Sequence, residues 1–465
     1  MSTERSTHLT RRELLARAGS GFGTLPVLDL LARDGRIAPG RTHHPPRANA
    51  VIWLFMYGGP SAIDLFDPKP ELDRMDGRKP PAGIDTFFPD NGNLMRSPYT
   101  FARHGESGQW VASPFPALAR VVDRLAFLKS VHCASNNHAP ALLHLNTGHP
   151  RVGYPSAGAW LSYGLGSASA DLPAFVVMHD WRGGPIGGPQ NWGAGFLPSR
   201  HQGVPLRAGE HPILNLHPPE GTSDAARRAQ LDLLAALNRA HAEARPGVDE
   251  LEARIASYEL AYRMQTAAPE AIDLRHESDE TRRLYGLDRE VTSFFGTQCL
   301  IARRLVERGV RFVQIYSGGG HQQDSWDAHF GLKPNHDLHC AETDVPIAGL
   351  IEDLARRGLL DTTLVVWGGE FGRMPMSQGN NRGRDHNPHG FTMWLAGGGV
   401  RGGVSYGSTD EIGLHAVENP VTVHDVHATI LHLLGIDHTA LTFLHQGRRF
   451  RLTDVAGNVL HPILA

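Results

Sequence analysis

Five short apolar runs, most of them closed by glycines, recur along this 465-residue chain and limit what it can fold into. They read AVIWLFMYGG at 50–59, LPAFVVMHD at 172–180, GVRFVQIYSGGG at 309–320, TTLVVWGGE at 362–370 and GFTMWLAGGG at 390–399. Runs this short and this continuously apolar suit strands buried on both faces. Amphipathic helical patterns lie between them. Phe295, Cys299, Ala302 and Leu305 share one helical face, and Val345, Ile347, Leu350, Ile351 and Leu354 share another. A further helix is expected over Pro155–Gly164, its proline in the first turn where no N–H is needed. This alternation predicts an α/β fold, a mostly parallel central sheet flanked by helices. A charged helical insertion is expected at about 224–285, with Leu231, Leu234 and Leu237 marking its apolar face.

In sheets of this kind ligands bind beyond the carboxyl ends of the strands. Chemistry-bearing residues crowd those places in the sequence. Ser61, Asp64 and Asp67 follow the first run, and Asp327, His329, His336 and His339 follow the third. Glu370 and Arg373 follow the fourth, while Arg384, Asp385, His386 and His389 precede the fifth. Carboxylates and imidazoles from four separate segments at one rim predict a divalent metal site. The expected ligands are Asp64, Asp327, His329, Glu370 and His386. Mixed oxygen and nitrogen donors put zinc first, with manganese or calcium as alternatives. The competing reading is that these are loop residues that cap helices and pair with one another.

Composition narrows the partners. The 27 histidines favour metal or acid–base chemistry, and a net charge of -3 gives no reason to expect nucleic acid or an anionic membrane. Three cysteines without CxxC spacing argue against a zinc–thiolate centre or a disulfide framework. LTRRELLA at 9–16, followed by a mildly apolar Gly-rich stretch, resembles a twin-arginine export signal. On that reading residues 1–49 are signal and linker, 50–465 form one folded domain, and the protein is exported to the periplasm. No run approaches the roughly 18 apolar residues that a membrane span requires.

CASNNHAPALLHLNTGHP, residues 133–150, resembles the sulfatase signature, whose core runs Cys/Ser-x-Pro-x-Arg and continues to Thr-Gly. His138 falls on the nucleophile position, Pro140 on the proline and Thr147-Gly148 on the closing pair. DTTLVVWGGEFGR and AVIWLFMYGG resemble the metal-binding strands of the alkaline phosphatase superfamily. More closely, FMYGGPSAIDLFDPKPEL, NNHAPALLHLNTGH, WDAH, TLVVWGGEFGRMP, GRDHNPHGFTMWLAGGGVRGG and HDVHATILHLLGID resemble the exported, sulfatase-like family called domain of unknown function 1501. The resemblance runs over about residues 1 to 460 and implies an alkaline phosphatase-like domain. There are departures from the catalytic superfamily. Gly58-Gly59 stands where a metal-binding aspartate is expected, Leu142 replaces an arginine, and Glu370-Phe371 replaces an Asp-His pair.

An imidazole in place of a hydroxyl can attack the ester directly, or it can become a metal ligand beside which water attacks. The second is the preferred expectation for His138. Asn137 would then orient substrate oxygens, and Arg373 or Arg384 would clamp the anion bidentately. The resulting expectation is an exported, metal-dependent hydrolase of sulfate or phosphate esters, with sulfated polysaccharide as one candidate substrate. The alternative is a non-catalytic sulfatase-like protein that binds an anionic glycan or a protein partner.

Overall fold

The computed structural model describes residues 42–465, apart from 85, 90, 207–222, 245–248, 321 and 380–381. The leader-like segment therefore lies outside the described residues. The strands that matter for the site are β1 (Ala50–Met56), β2 (Asn91–Leu94), β3 (Leu125–His132), β4 (Phe175–Met178), β5 (Val204–Leu206), β6 (Phe312–Ser317), β7 (Thr363–Gly368), β8 (Gly372–Gln378), β9 (Arg384–Asn387), β10 (Phe391–Ala396), β11 (Val404–Tyr406) and β12 (Val421–Thr422). The helices are α1 (Ala62–Leu65), α2 (His138–Thr147), α3 (Ala157–Leu165), α4 (Asp224–Glu243), α5 (Asp249–Ile272), α6 (Glu290–Glu307), α7 (Leu332–Arg356) and α8 (Val423–Leu433).

A nine-stranded sheet runs in the order β11-β3-β10-β7-β1-β6-β4-β5, with β12 also paired to β3. Only β10 runs against the rest, pairing antiparallel with both β3 and β7. The fold is thus α/β with a mostly parallel sheet, as the alternating pattern predicts. The central strand β1 lies parallel to β6 on one side, Trp53 beside Gln314, and to β7 on the other, Trp53 beside Val366. All seven of its residues are buried. Two apolar layers, one on each face of the sheet, account for that. Trp53, Phe55, Leu142, Leu145 and Val426 belong to one, and Ile52, Leu54, Leu300, Ile347 and Leu350 to the other. Each such side chain removed from water contributes about 1.5–3 kcal/mol, offset by chain entropy.

A second, three-stranded sheet, β9-β8-β2, stands beyond the carboxyl ends of the large one. Its antiparallel β8–β9 pair sets Arg373 opposite His386. Helix α7 begins at Leu332, earlier than its apolar periodicity suggests, so His336 and His339 are buried helical residues and not loop residues. In α4 the buried i, i+4 pair is Leu231 and Ala235; Leu237 is 60% exposed, so the inner face is narrower than three leucines imply. Cys133, Cys299 and Cys340 are unpaired and buried. Among the described residues, no helix is long and apolar enough to cross a membrane.

Candidate metal centre

Three loops leave the carboxyl ends of the large sheet and meet against the β8–β9 ribbon. The loop after β3 ends at α2, whose first residue is His138. Asn137 is the N-cap of that helix, its side-chain Oδ1 accepting from Ala139 N at 3.2 Å. The loop after β6 carries Asp327 and His329, the turn after β7 carries Glu370, and β9 carries His386. One ligand atom from each of His138, Asp327, His329 and His386 lies within 4.8 Å of the others.

The geometry centres on one carboxylate oxygen. Asp327 Oδ1 is 2.9 Å from His329 Nε2, 3.3 Å from His138 Nε2, 3.4 Å from His386 Nε2 and 2.7 Å from Arg373 Nη2. Four nitrogens around one oxygen exceed what its lone pairs can accept. The opposite nitrogen of each ring is already committed. His138 Nδ1 is 2.6 Å from Glu370 Oε1, His386 Nδ1 is 2.6 Å from the Asn136 carbonyl, and His329 Nδ1 is 2.5 Å from Gln378 Oε1. Carboxylates and carbonyls only accept, so each Nδ1 carries a proton and each ring turns its Nε2 toward Asp327. His138 Nε2 is buried and has no aligned hydrogen-bond partner. Nitrogens converging in this way, each ring fixed by an outer acceptor, are what a first-row divalent cation requires.

Charge points the same way. Four buried carboxylates, Asp64, Asp327, Glu370 and Asp385, stand against two buried guanidiniums, Arg373 and Arg384, a formal excess of two negative charges before the imidazoles are counted. Burial depresses the His138 pKa, but Asp327 and Glu370 outweigh it and raise it to about 9. The two carboxylates therefore favour positive charge at His138 Nε2, a proton or, in its place, a metal ion. Burial holds His386 well below the ordinary histidine range, with Arg373 opposing its protonation as well. Burial works against ionisation of Asp327, yet Arg373 and the three imidazoles keep its pKa far below the usual carboxylate value.

The remaining expected site residues are placed differently. Asp64 is not in the cluster. Its carboxylate takes two bonds from Arg384, at 2.7 and 3.1 Å, and one from Ser61 Oγ at 2.5 Å, so it is the counter-ion of an arginine. Glu370 also stands outside the four, accepting from Gly58 N at 2.9 Å and holding His138 from behind. Gly58 has φ +111, and a Cβ there would come within 2.5 Å of Asp327 N, so the residue must be glycine for the amide to reach Glu370. Neither arginine can clamp an anion. Arg373 is spent on the Gly58, Gly59 and Arg384 carbonyls and on Asp327; Arg384 is spent on Asp64, Met374 O and Met95 O. Both are fully buried. Asn137 keeps its amide nitrogen, but its oxygen is used in the helix cap. His336 accepts from Ser61 N, and His339 bonds Glu342.

Gln378, Phe87 and Phe88, which the sequence does not single out, complete the centre together with the backbone of Asn136. Gln378 and the Asn136 carbonyl orient two of the imidazoles. Phe87 and Phe88 pack against the rings, Phe87 tilted 4.9 Å from His386 and Phe88 edge-on 5.0 Å from His329, with Phe88 N held by Asp385 at 2.9 Å. No periodicity marks that loop; its only signal is two adjacent aromatics in a Pro/Gly/Asp-rich stretch.

Fold and site together define an α/β protein with a buried three-histidine, one-carboxylate centre at the strand ends. Over residues 48–464 the chain matches the family described as Protein of unknown function (DUF1501), and it belongs to that family. No curated protein matches its sequence. Among solved structures it is similar to the PsFucS1 sulfatase from Pseudoalteromonas sp., at 13% identity and TM-score 0.35 over 92% of this chain and 76% of that one. It is similar to Ps i-CgsB in complex with k-i-k-neocarrahexaose, at 12% and 0.35 over 84% and 72%. It is also similar to the phosphonate monoester hydrolase SpPMH from Silicibacter pomeroyi, at 13% and 0.35 over 75% and 71%. Likenesses at these TM-scores carry nothing about this chain's chemistry.

Proposed function

We propose that the protein is a divalent-metal-dependent hydrolase of anionic esters, sulfate or phosphate, acting outside the cytoplasm. The observation that carries this reading is the set of three Nδ1-anchored imidazoles whose Nε2 atoms converge on Asp327 Oδ1. His138, Asp327, His329 and His386 hold the cation, zinc being favoured by the nitrogen-rich donor set. When bound, the cation supplies Lewis-acid charge that stabilises negative charge developing on the ester. The chain's own groups do the rest. Glu370, the Asn136 carbonyl and Gln378 keep the Nδ1 protons in place, so that no ring turns away. Arg373 fixes the Asp327 carboxylate and offsets its charge. The N-terminus of α2 brings its positive end to the rim where an anion would sit. Phe87 and Phe88 restrict water around the rings. His138 is a ligand on this reading, and its Nε2 is not free to form a covalent adduct. The twin-arginine-like leader supports export.

One observation favours the second reading, a non-catalytic anion- or partner-binding protein. Both arginines expected to clamp the ester are consumed internally. One experiment separates the two. Metal content and turnover of aryl sulfate, phosphate and phosphonate esters are measured on the full chain and on Asp327→Ala. Stoichiometric metal with turnover, both lost in the variant, supports the hydrolase. Metal without turnover on any ester supports the binding protein. A metal-free wild type sinks the metal centre.

A further inference from the structure

At the same rim, two strands from β1, a cavity of about 570 Å3 opens beside Asp180, Trp181 and Arg182 and is closed by the start of α6 and by α7. That volume is the size of one small molecule. Its wall is unusual for a water-facing surface. Trp181 is 68% exposed, Val291 45% and Leu338 43%, so three large apolar side chains that fold burial leaves wet face one hollow. Apolar groups gathered round a hollow mark a binding surface.

The polar groups of the cavity select the sign of the ligand. Arg182 is neutralised from two sides: Asp180 takes its Nε and Nη2 at 2.8 Å each, and Glu342 takes Nη2 at 2.9 Å. Its guanidinium sits 5.4 Å from the Trp181 ring, which braces the indole on one side. Glu290, the first residue of α6, also lines the cavity and has no ion-pair partner among the described residues. Three carboxylates face one guanidinium around an apolar wall. An anion is repelled there, and a sugar would find few polar groups along Val291 and Leu338. We propose that this cavity binds a small organic cation, an amine or guanidine carried on a hydrocarbon stem. The stem lies on Val291, Leu338 and the open side of Trp181, and the charged head meets Glu290. The site is separate from the metal centre, shares none of its ligands, and stands whether or not that centre is hydrolytic.

The test is calorimetric titration of the full chain with hexylamine, 1-hexanol and maltotriose. Hexylammonium should bind about tenfold more tightly than hexanol, a preference that falls as salt rises. Glu290→Gln should bring the two ligands to similar affinity, and Trp181→Ala should weaken both, with metal content unchanged in each variant. Equal affinity for amine and alcohol in the wild type, tighter binding of maltotriose, or no binding of hexylamine overturns the proposal. Because both positions are exposed, circular dichroism and the thermal midpoint identify a variant that has lost its fold; Glu290→Ala then replaces it.

Discussion

Two buried polar clusters sit side by side behind the rim, and they differ in one respect. Around Asp64 every strong group has its partner: Arg384 reaches both carboxylate oxygens, Ser61 Oγ adds a third bond, and His336 accepts from Ser61 N. Around Asp327 the accounting fails. Three imidazoles and a guanidinium crowd one oxygen, and His138 Nε2 has no aligned partner. A satisfied cluster is scaffold. An oversubscribed one, held in place by outer hydrogen bonds, has the form of a metal site.

The most severe way to break this contrast is to remove the shared carboxylate. Asp327→Ala should abolish stoichiometric metal binding, read by elemental analysis after dialysis against zinc. Retained stoichiometric metal would place the ion elsewhere and erase the distinction. The mirror experiment is Asp64→Ala, which leaves Arg384 buried without its counter-ion. Stability should fall by about 3–5 kcal/mol in denaturant melts, while any folded fraction keeps metal. Loss of metal from a fully stable Asp64→Ala protein would move Asp64 into the centre.

An orphaned nitrogen alone does not make a site, and His427 shows why. Its Nε2 donates to Leu145 O at 2.8 Å, tying α8 to α2, while its buried Nδ1 has no partner. No carboxylate or second imidazole is found bonded to that atom among the described residues; the nearest ring is Trp53, edge-on at 6.3 Å. Burial, helped by the nearby His424, depresses its pKa to about 3. A depressed folded pKa means that stability is intact above the unfolded value of about 6.5 and is lost as pH falls toward 3. By pH 4 the loss from His427 should approach at most about 3 kcal/mol. His427→Gln should flatten the fall in unfolding midpoint between pH 6.5 and 4. An equally steep fall in that variant would shift the effect to His201 or His144, both depressed by burial to about 4.

Much of this was legible before any coordinates. The five apolar runs became β1, β4, β6, β7 and β10 because a strand buried on both faces has no polar face to disguise it. Two elements next to the site were not visible. Strand β3, LAFLKSVH, carries Lys129, Ser130 and His132 in an otherwise apolar run. Helix α2 contains Pro140 and is buried at every position from Ala141 to Thr147, so it shows no amphipathic stripe. Within the centre, Asp327, His329 and His386 could be gathered from the apolar runs they adjoin, and His138 from its place in the sulfatase-like signature. Asp64 and Glu370 could not be sorted from Asp327, because a carboxylate's role depends on which donor reaches it. Arg384 and the Gly58 amide decide those cases, and both are contacts across more than 300 residues.

Glu370 offers the finest test of the contrast, since it shares one trait with each cluster. It is fully satisfied, accepting from Gly58 N and His138 Nδ1, as scaffold is. Yet one of its partners is a ring of the centre, so its charge bears on how strongly His138 Nε2 donates. Glu370→Gln keeps the shape and one acceptor oxygen but removes the charge. Outer partners of metal-binding histidines are typically worth 10–100-fold in affinity. The variant should therefore bind zinc about 10–100-fold more weakly in a competitive chelator titration, while the unfolding midpoint of the metal-free protein moves little. Unchanged affinity with reduced stability would assign Glu370 to the scaffold, and the centre would then depend on geometry alone and not on the charge behind it.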